Sequence, residues 1–572
     1  MNANKPDLKS SPGPETNSAP KTICIVQMTR IGDVLQTLQA AQMLKLQHPG
    51  VRLILVARQQ FAEPLEFILD KTFDRCFYIN LKTLMPDKNT SIETAQQAVK
   101  NFTGSLKLEH IQVTVNLSFS KSSAYLTSLI PSTHKLGLYY DNLNNLKITD
   151  KWSQFIYSNV MGGPLNPFSL IDIYKCMLGV SDIPEINQQQ KKKTNTIVIH
   201  PFASIAKKCW KANKWSEVLY QLLKNLNKIT ITIVGTKKEG EDIVKILNSP
   251  LLSRYSERIN NLCGKTSIKD LFSIMDSADL FVGHDSMVGH IASLTNTKSI
   301  TISLGTVRPH ETTPYGRDNF NITPTTKCFP CFPDDNCDYH QCHSDIPYQV
   351  VYTAVRQFIL EGTITKSYLE ENNSCFLLNS VNVFASKLTS SGHFQLHEIL
   401  EHNKTTNGIF ILFYRICWQY LFNSIEEPQS FPALSNNTHQ QMLHYINGLQ
   451  YLFELCNFGQ KYSRYILEEV SSKIPRLEKI KEYSNKIDEI DELQKLIKHT
   501  YPHLSPIIDY LTVQKGNLNG INIIELAEGS FTLYNEASNL ISIIHELLEK
   551  TVAEHKIKNK ISSINNEFNS NR

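Results

Sequence analysis

The sequence predicts an α/β protein, with two Rossmann-like domains in tandem followed by an all-α domain. Three observations lead there. Short apolar runs alternate with helical patterns of 10 to 15 residues through the first part of the chain, which is the signature of parallel sheets. That series occurs twice, separated by a polar stretch. From about Ser367 only helical spacing remains.

The first series opens at Thr22 to Gln27 (TICIVQ). A polar corner, Met28 to Asp33 (MTRIGD), then leads into a helical pattern through Val34, Leu35, Leu38, Ala41, Leu44 and Leu46, which ends near Pro49-Gly50. Val51 to Ala57 is the next strand, so the unit is βαβ with a parallel crossover. Further strands are expected at Cys76 to Leu81, Ile111 to Leu117 and Lys135 to Tyr139. The first domain is placed at 22–163. Residues 164–194 are read as a linker, because they end in the polar run Gln188 to Lys193.

The second domain, 195–366, repeats the pattern with strands at Thr196 to Pro201, Ile229 to Gly235, Ile259 to Cys263, Asp279 to Gly283 and Ser299 to Leu304. Its organising stretch is Ala278 to Thr297. There a strand runs into Gly283, the capping types Asp285 and Ser286 follow, and His290 falls one turn into a helix. A helix starting past a strand's carboxyl end aims free N–H groups and a positive dipole end at the crevice, which suits an anion.

Residues 367–572 are expected to be a helical domain of unknown role, with Leu and aromatic stripes serving as core. Gly408 to Phe422 is its most apolar run, shorter than the roughly 20 residues that span a bilayer, and reads as a buried helix. The Pro-, Ser- and Asn-rich start, residues 1–21, reads as a disordered arm and not as a signal peptide. A formal charge of +4 over 572 residues gives no argument for nucleic acid. With no export signal the protein is expected in the cytoplasm, its 12 cysteines reduced.

Several side chains stand where chemistry is feasible. Asp33 at the first strand-to-helix corner could act as a general base, or simply cap its helix. Lys207 and Lys208 follow the first strand of the second domain, where a diphosphate would sit. Glu239 follows the next strand and could reach a ribose hydroxyl. Gly264-Lys265-Thr266 is not a phosphate loop, since position 259 is Ile where that motif needs Gly. Cys328, Cys331, Cys337 and Cys342, spaced C-x2-C-x5-C-x4-C with His340 and His343 nearby, could close a structural site for zinc or iron. Reduced thiols or a local disulfide are the alternatives.

These corners resemble glycosyltransferase family 9, the bacterial heptosyltransferases with a two-domain GT-B fold. The matching pieces are IVQMTRIGDVLQT (25–37), VNLSFSKSSAYL (115–126), IHPFASIAKKCW (199–210), NLCGKTSIKDLFSIMDSADLFVGHDS (261–286), His290, and PYG (314–316). The resemblance covers residues 22 to about 362, and the cysteine loop 328–342 is similar to the iron-binding finger of the autotransporter heptosyltransferases. It implies a first domain that takes the acceptor and a second that binds the donor. Asp33 would be the catalytic base and Lys208 the donor-phosphate lysine, while Glu239, Asp285, Ser286 and His290 would bind the donor. Ser286 stands for the family's threonine. Met287 and Phe202 replace small residues and are expected to bring bulk close to the nucleotide.

The implied activity is inverting, cofactor-independent transfer of a sugar, heptose by resemblance, from a nucleotide-diphosphate donor such as ADP-heptose. The acceptor would be a hydroxyl of lipopolysaccharide core or of a protein. The implied place is the cytoplasm, with peripheral contact at the inner membrane. The alternative is a non-catalytic scaffold in which Met287 and Phe202 block the nucleotide and the helical domain binds a partner.

Overall fold

A computed structural model describes residues 21–84, 91–180, 193–332, 337, 340–400, 405–422 and 434–570. The arm expected over 1–21 lies outside the described residues except for Lys21, and so does the Gln188 to Lys193 run except for Lys193.

The first series folds into a parallel sheet of β1 (Thr22–Gln27), β2 (Arg52–Arg58), β3 (Arg75–Ile79), β4 (Val113–Asn116) and β5 (His134–Leu136), ordered β3-β2-β1-β4-β5. The order reverses between β1 and β4, and Asp33 leaves from the carboxyl end of β1. Such switch points are where open sheets bind ligands. The strand expected at Lys135 to Tyr139 is split in two. Gly137 adopts φ +88°, and a Cβ there would collide with the Asn116 carbonyl, so the chain turns out of the sheet. It continues as β6 (Leu138–Tyr140), which pairs with β7 (Leu146–Ile148) as a separate hairpin.

The stretch 164–180, read as part of a linker, is packed. Its helix Leu170–Met177 buries Ile171, Ile173, Tyr174 and Met177 and lies against the Ile31–Gln47 helix. It also holds two buried charges, Asp172 and Lys175, 2.8 Å apart. Lys175 donates further to Tyr315 Oη (2.9 Å) and to the Gly392 carbonyl (3.0 Å), while Asp172 accepts from Tyr315 Oη (2.7 Å) and the Phe394 N–H (2.7 Å). Every charge is therefore compensated by groups that are distant in sequence.

The second sheet is larger than expected. β8 (Thr196–His200), β9 (Thr230–Ile233), β10 (Ile259–Asn261), β11 (Leu280–His284), β12 (Lys298–Ile302) and β13 (Phe320–Pro324) run parallel, in the order β10-β9-β8-β11-β12-β13. The region from 367, expected to be helical throughout, first returns to this sheet. β14 (Val381–Leu388) and β15 (Phe394–Glu398) extend it antiparallel from β13.

Helices then dominate. Thr406–Leu421 is the buried helix expected from its apolar run, with Ile409, Phe410, Phe413, Tyr414 and Trp418 inside. Its Arg415 is held by the carbonyls of Pro167 and Phe394, each at 3.1 Å. No helix among the described residues is long and apolar enough to cross a membrane. Asn436–Val470 runs antiparallel to Ile523–Ser570, as the pairs Ser463–Ser530 (3.0 Å) and Gln460–Ser538 (2.9 Å) show, and Leu477–Thr500 packs along the first of them. Trp152 stacks on Phe422 with centroids 3.9 Å apart and Phe155 meets Trp418 edge-on. One continuous core thus joins the first sheet (Ile25), the second (Phe281) and the helices (Trp418, Tyr534). Each large side chain buried there contributes on the order of 2 kcal/mol.

Candidate functional site

The carboxyl ends of β1, β8 and β11 converge on one place. After β1, the buried Met28 N–H donates to Ser118 Oγ (2.6 Å) and fixes the corner before the Ile31–Gln47 helix. Asp33 sits in that helix's first turn, where its Oδ2 accepts from the Arg30 N–H at 3.1 Å. The cap reading of Asp33 is thus observed: one carboxylate oxygen caps its helix. Next to it, Gly32 lies so near His290 that a Cβ would come within 3.2 Å of the ring. A second link lies deeper, where Gln39 Nε2 donates to Ser293 Oγ (2.5 Å), which itself donates to the Tyr315 carbonyl (2.7 Å).

From β11, Asp285 and Ser286 lead into the Met287–Leu294 helix. Lys208, in the turn after β8, places Nζ 2.7 Å from Asp285 Oδ2. Burial opposes ionisation of Asp285, yet Lys208 beside it holds the carboxyl below its ordinary range. His290 is buried with Nδ1 unpaired, and burial pushes its pKa down, so the ring is neutral at pH 7. Asp285, Ser286 and Gly289 line a pocket of about 200 Å³ together with His284, Thr312 and Asn321.

His200, at the end of β8, belongs to a piece of sequence singled out above but was given no role. Its Nδ1 lies 3.1 Å from Ser286 Oγ, and its Nε2 faces Glu239 Oε2 at 3.8 Å. Glu239 also accepts from the Thr236 N–H (2.7 Å) and Oγ1 (2.8 Å). Burial works against its charge, but His200 and Thr236 bring its pKa down to about 2. Glu239, His200 and Ser286 thus form one polar line along the ends of β9, β8 and β11. The neighbouring His284 is different: its Nε2 accepts from the Trp210 N–H (3.1 Å), so Nδ1 carries the proton to the Ile302 carbonyl (3.0 Å). That histidine is a core strut.

The two bulky replacements sit differently: the Phe202 ring lies against Gly235, beside Glu239, and Met287 opens its helix. Phe202 is 7% exposed and packs into the second sheet's core beside Trp210, meeting His200 edge-on. Met287 is half-buried against the shared core. Sequence reasoning also missed Arg308 and Glu311. Arg308 donates to the Val160 carbonyl (2.5 Å) across the joint and pairs with Glu311 (3.2 Å). Burial raises the Glu311 carboxyl to about 7, against the pull of Arg308. The signal available for it was Pro309 opening a helix with an acid in its first turn.

The cysteine loop lies against this site. The Cys331 N–H donates to the Gly305 carbonyl (2.9 Å), and His343 Nε2 meets the Lys207 carbonyl at 2.9 Å. Cys342 is buried, with Cys328 and Cys337 near enough to add to the rise that burial imposes on its thiol. None of the four is in a disulfide. Among the described residues no group of three or more His, Cys, Asp or Glu side chains is placed to hold a metal ion. Residues 333–336 and 338–339 of the loop lie outside the described ones.

Residues 177–341 match the family model "Glycosyltransferase family 9 (heptosyltransferase)". Lipooligosaccharide heptosyltransferase 2 of Campylobacter jejuni is 26% identical over 161 residues, 27% of this chain and 49% of that protein. The chain thus spans about half the length of that curated relative. Among solved structures, ADP-heptose heptosyltransferase II of Escherichia coli aligns at 17% identity over 60% of this chain and 99% of that one, with TM-score 0.43. The iron-containing dodecameric glycosyltransferase TibC of enterotoxigenic E. coli aligns at 13% identity over 61% and 78%, with TM-score 0.34.

Proposed function

We propose that this chain, a heptosyltransferase-like protein with the family 9 signature across its second sheet, is an inverting glycosyltransferase that moves heptose from ADP-heptose to a hydroxyl of lipopolysaccharide core or of a protein. The observation that carries the reading is the convergence of Asp33, Lys208, Asp285, Ser286 and His290 from the ends of β1, β8 and β11 onto one interface between the two sheets.

In this reading the donor's nucleotide lies over β8 and β9, with Glu239 toward the ribose. The diphosphate meets Lys208, Ser286 and the N–H groups opening the Met287 helix. Asp33 takes the proton of the acceptor hydroxyl, whose oxygen attacks the anomeric carbon from the face opposite the diphosphate. The C–O bond to the diphosphate breaks and its electron pair leaves on the phosphate oxygen. Lys208, the helix N-terminus and the neutral His290, as a hydrogen-bond donor, stabilise that growing charge. We read the reaction as cofactor-independent, because these groups supply the positive field at the leaving group. The cysteine loop enters only by its contact with Lys207, which adjoins Lys208.

The scaffold alternative, in which Met287 and Phe202 block the nucleotide, predicts no ADP binding and is decided by the same test. We further place the protein in the cytoplasm, in peripheral contact with the inner membrane when the acceptor is lipid-linked. The test is incubation of the purified protein with ADP-heptose and a panel of other nucleotide sugars, with lipopolysaccharide core and whole-cell protein as acceptors. Transfer from ADP-heptose supports the reading. Absence of any ADP binding at millimolar concentration overturns it.

A further inference from the structure

Lys208 stands on a turn that packing alone does not fix. Ser204, Ile205 and Ala206 before it are exposed, and the tight turn Ala206–Lys208 buries none of its residues. A turn so open to water holds its shape by the hydrogen bonds of its backbone. The peptide plane joining Lys207 to Lys208 has two polar groups, and both are bound. The Lys208 N–H donates to the Ile205 carbonyl (3.1 Å), and the Lys207 carbonyl accepts from His343 Nε2 (2.9 Å). The first bond lies within the turn, while the second comes from 136 residues away and anchors the turn to the segment that follows the cysteine loop. A carbonyl only accepts, so Nε2 carries the proton.

His343 is itself firmly placed. It is 4% exposed and belongs to the short helix Gln341–Asp345. The residues just after Lys208 clasp the end of that helix. Lys214 Nζ donates to the carbonyls of His343 (3.0 Å), Ser344 (2.8 Å) and Ile346 (2.5 Å). Lys211 Nζ donates to Ser344 Oγ (2.8 Å), and Trp210 Nε1 to the Ile346 carbonyl (3.3 Å). Segments 207–214 and 343–346 thus grip each other at several points, and the imidazole is the part of the grip that reaches the Lys207–Lys208 peptide. Gly305, at φ +59°, lies against the same carbonyl, and a Cβ there would come within 2.5 Å of the Lys207 oxygen. The carbonyl is therefore bounded by His343 and by the loop after β12, and cannot swing toward that loop without displacing backbone.

From a peptide plane fixed in this way, Lys208 directs Nζ to 2.7 Å from Asp285 Oδ2, at the start of the Met287 helix. A lysine side chain is long and flexible, and it keeps one geometry only when its stem leaves from a fixed point and its ammonium has a partner. We propose that His343 is a positioning residue for Lys208: through the Lys207 carbonyl it sets where the ammonium meets an anionic leaving group. The proposal deepens the transferase reading, and rests on it only in taking that anion to be the donor's diphosphate.

The first arm of the test needs no nucleotide. The full chain is acetylated with a limiting amount of acetic anhydride, and mass spectrometry compares Lys208 with Lys107, an exposed lysine of the first domain. In the wild type Lys208 should react more slowly than Lys107, because Asp285 shields its amine. His343→Leu should raise the ratio of Lys208 to Lys107 labelling by about twofold or more, the worth of one hydrogen bond. His343→Asn, whose amide is too short for the carbonyl, should do the same. His343→Gln, whose amide reaches as far as Nε2, should stay near wild type. The last two differ by one methylene, so they separate the hydrogen bond from a general loss of packing. The second arm is calorimetry with ADP. His343→Leu should weaken binding by about 2- to 13-fold, and should cost nothing further in a Lys208→Ala background. Three outcomes overturn the proposal: unchanged Lys208 labelling in His343→Leu and His343→Asn, a glutamine variant as reactive as the leucine one, or additive losses with Lys208→Ala. A wild type that binds no ADP overturns the transferase reading instead, and the labelling arm still decides the role of His343.

Discussion

His200 Nδ1 stands 3.1 Å from Ser286 Oγ, so the hydroxyl at the mouth of the Met287 helix is oriented by the end of the adjacent strand. Glu239 on the far side of the ring extends the same line to the next strand. If that line positions Ser286 for a diphosphate, His200→Phe should weaken ADP binding by about 2- to 13-fold, the worth of one ordinary hydrogen bond. His200→Asn, whose amide falls near the Nδ1 position, should recover much of the loss. Calorimetry on His200→Phe, Ser286→Ala and the double variant checks the coupling. Strict additivity would separate the two residues.

Asp33→Asn should lower kcat by about 10²- to 10⁴-fold, the usual contribution of a general base, with the ADP Kd unchanged. Asparagine keeps an oxygen for the Arg30 N–H, so the helix cap survives and melting should shift little. An equal fall in stability and activity would reduce Asp33 to a cap.

Glu311 gives the protein a pH dependence of unusual sign. Its carboxyl rises from 4.5 to about 7 in the fold, because burial disfavours the charged form more than Arg308 favours it. The unfolded chain therefore ionises first. Stability from this group is fully present below pH 4.5, declines as pH rises from there, and is lost above about 7. The difference in stability between wild type and Glu311→Gln, from denaturant melts, should change by a few kcal/mol between pH 5 and pH 8. A constant difference would contradict the burial argument.

Lys175→Met should destabilise the fold by about 3–5 kcal/mol, because it strands the buried Asp172 carboxylate. Pairing it with Asp172→Asn should recover a large part of the loss. Urea unfolding of the two variants provides the comparison.

The strand-corner-helix units were legible in the sequence because each depends on neighbours in the chain. An apolar run, a glycine or a capping residue, and a helical stripe sufficed to place Asp33, Lys208, Glu239, Asp285, Ser286 and His290 at strand ends. What stayed hidden depends on distant partners. β13 is short, with only Phe320 and Ile322 as an apolar signal, and β14 pairs with it from about 60 residues later. His200 was overlooked for a similar reason: its two partners, Ser286 and Glu239, come from other strands. Lys175 and Asp172 looked like part of a polar linker, yet their compensating groups, Tyr315 and Gly392, arrive from the second sheet and the β14–β15 turn.

The shared core has a further consequence. Trp152, Phe155 and Phe168 are covered by Trp418 and Phe422, so the helices after residue 405 supply the outer wall of the first sheet's interior. The C-terminal region is an appendix by sequence order only. A chain cut before it would bare an aromatic floor to water, and the two sheets and the bundle should melt as a single cooperative unit.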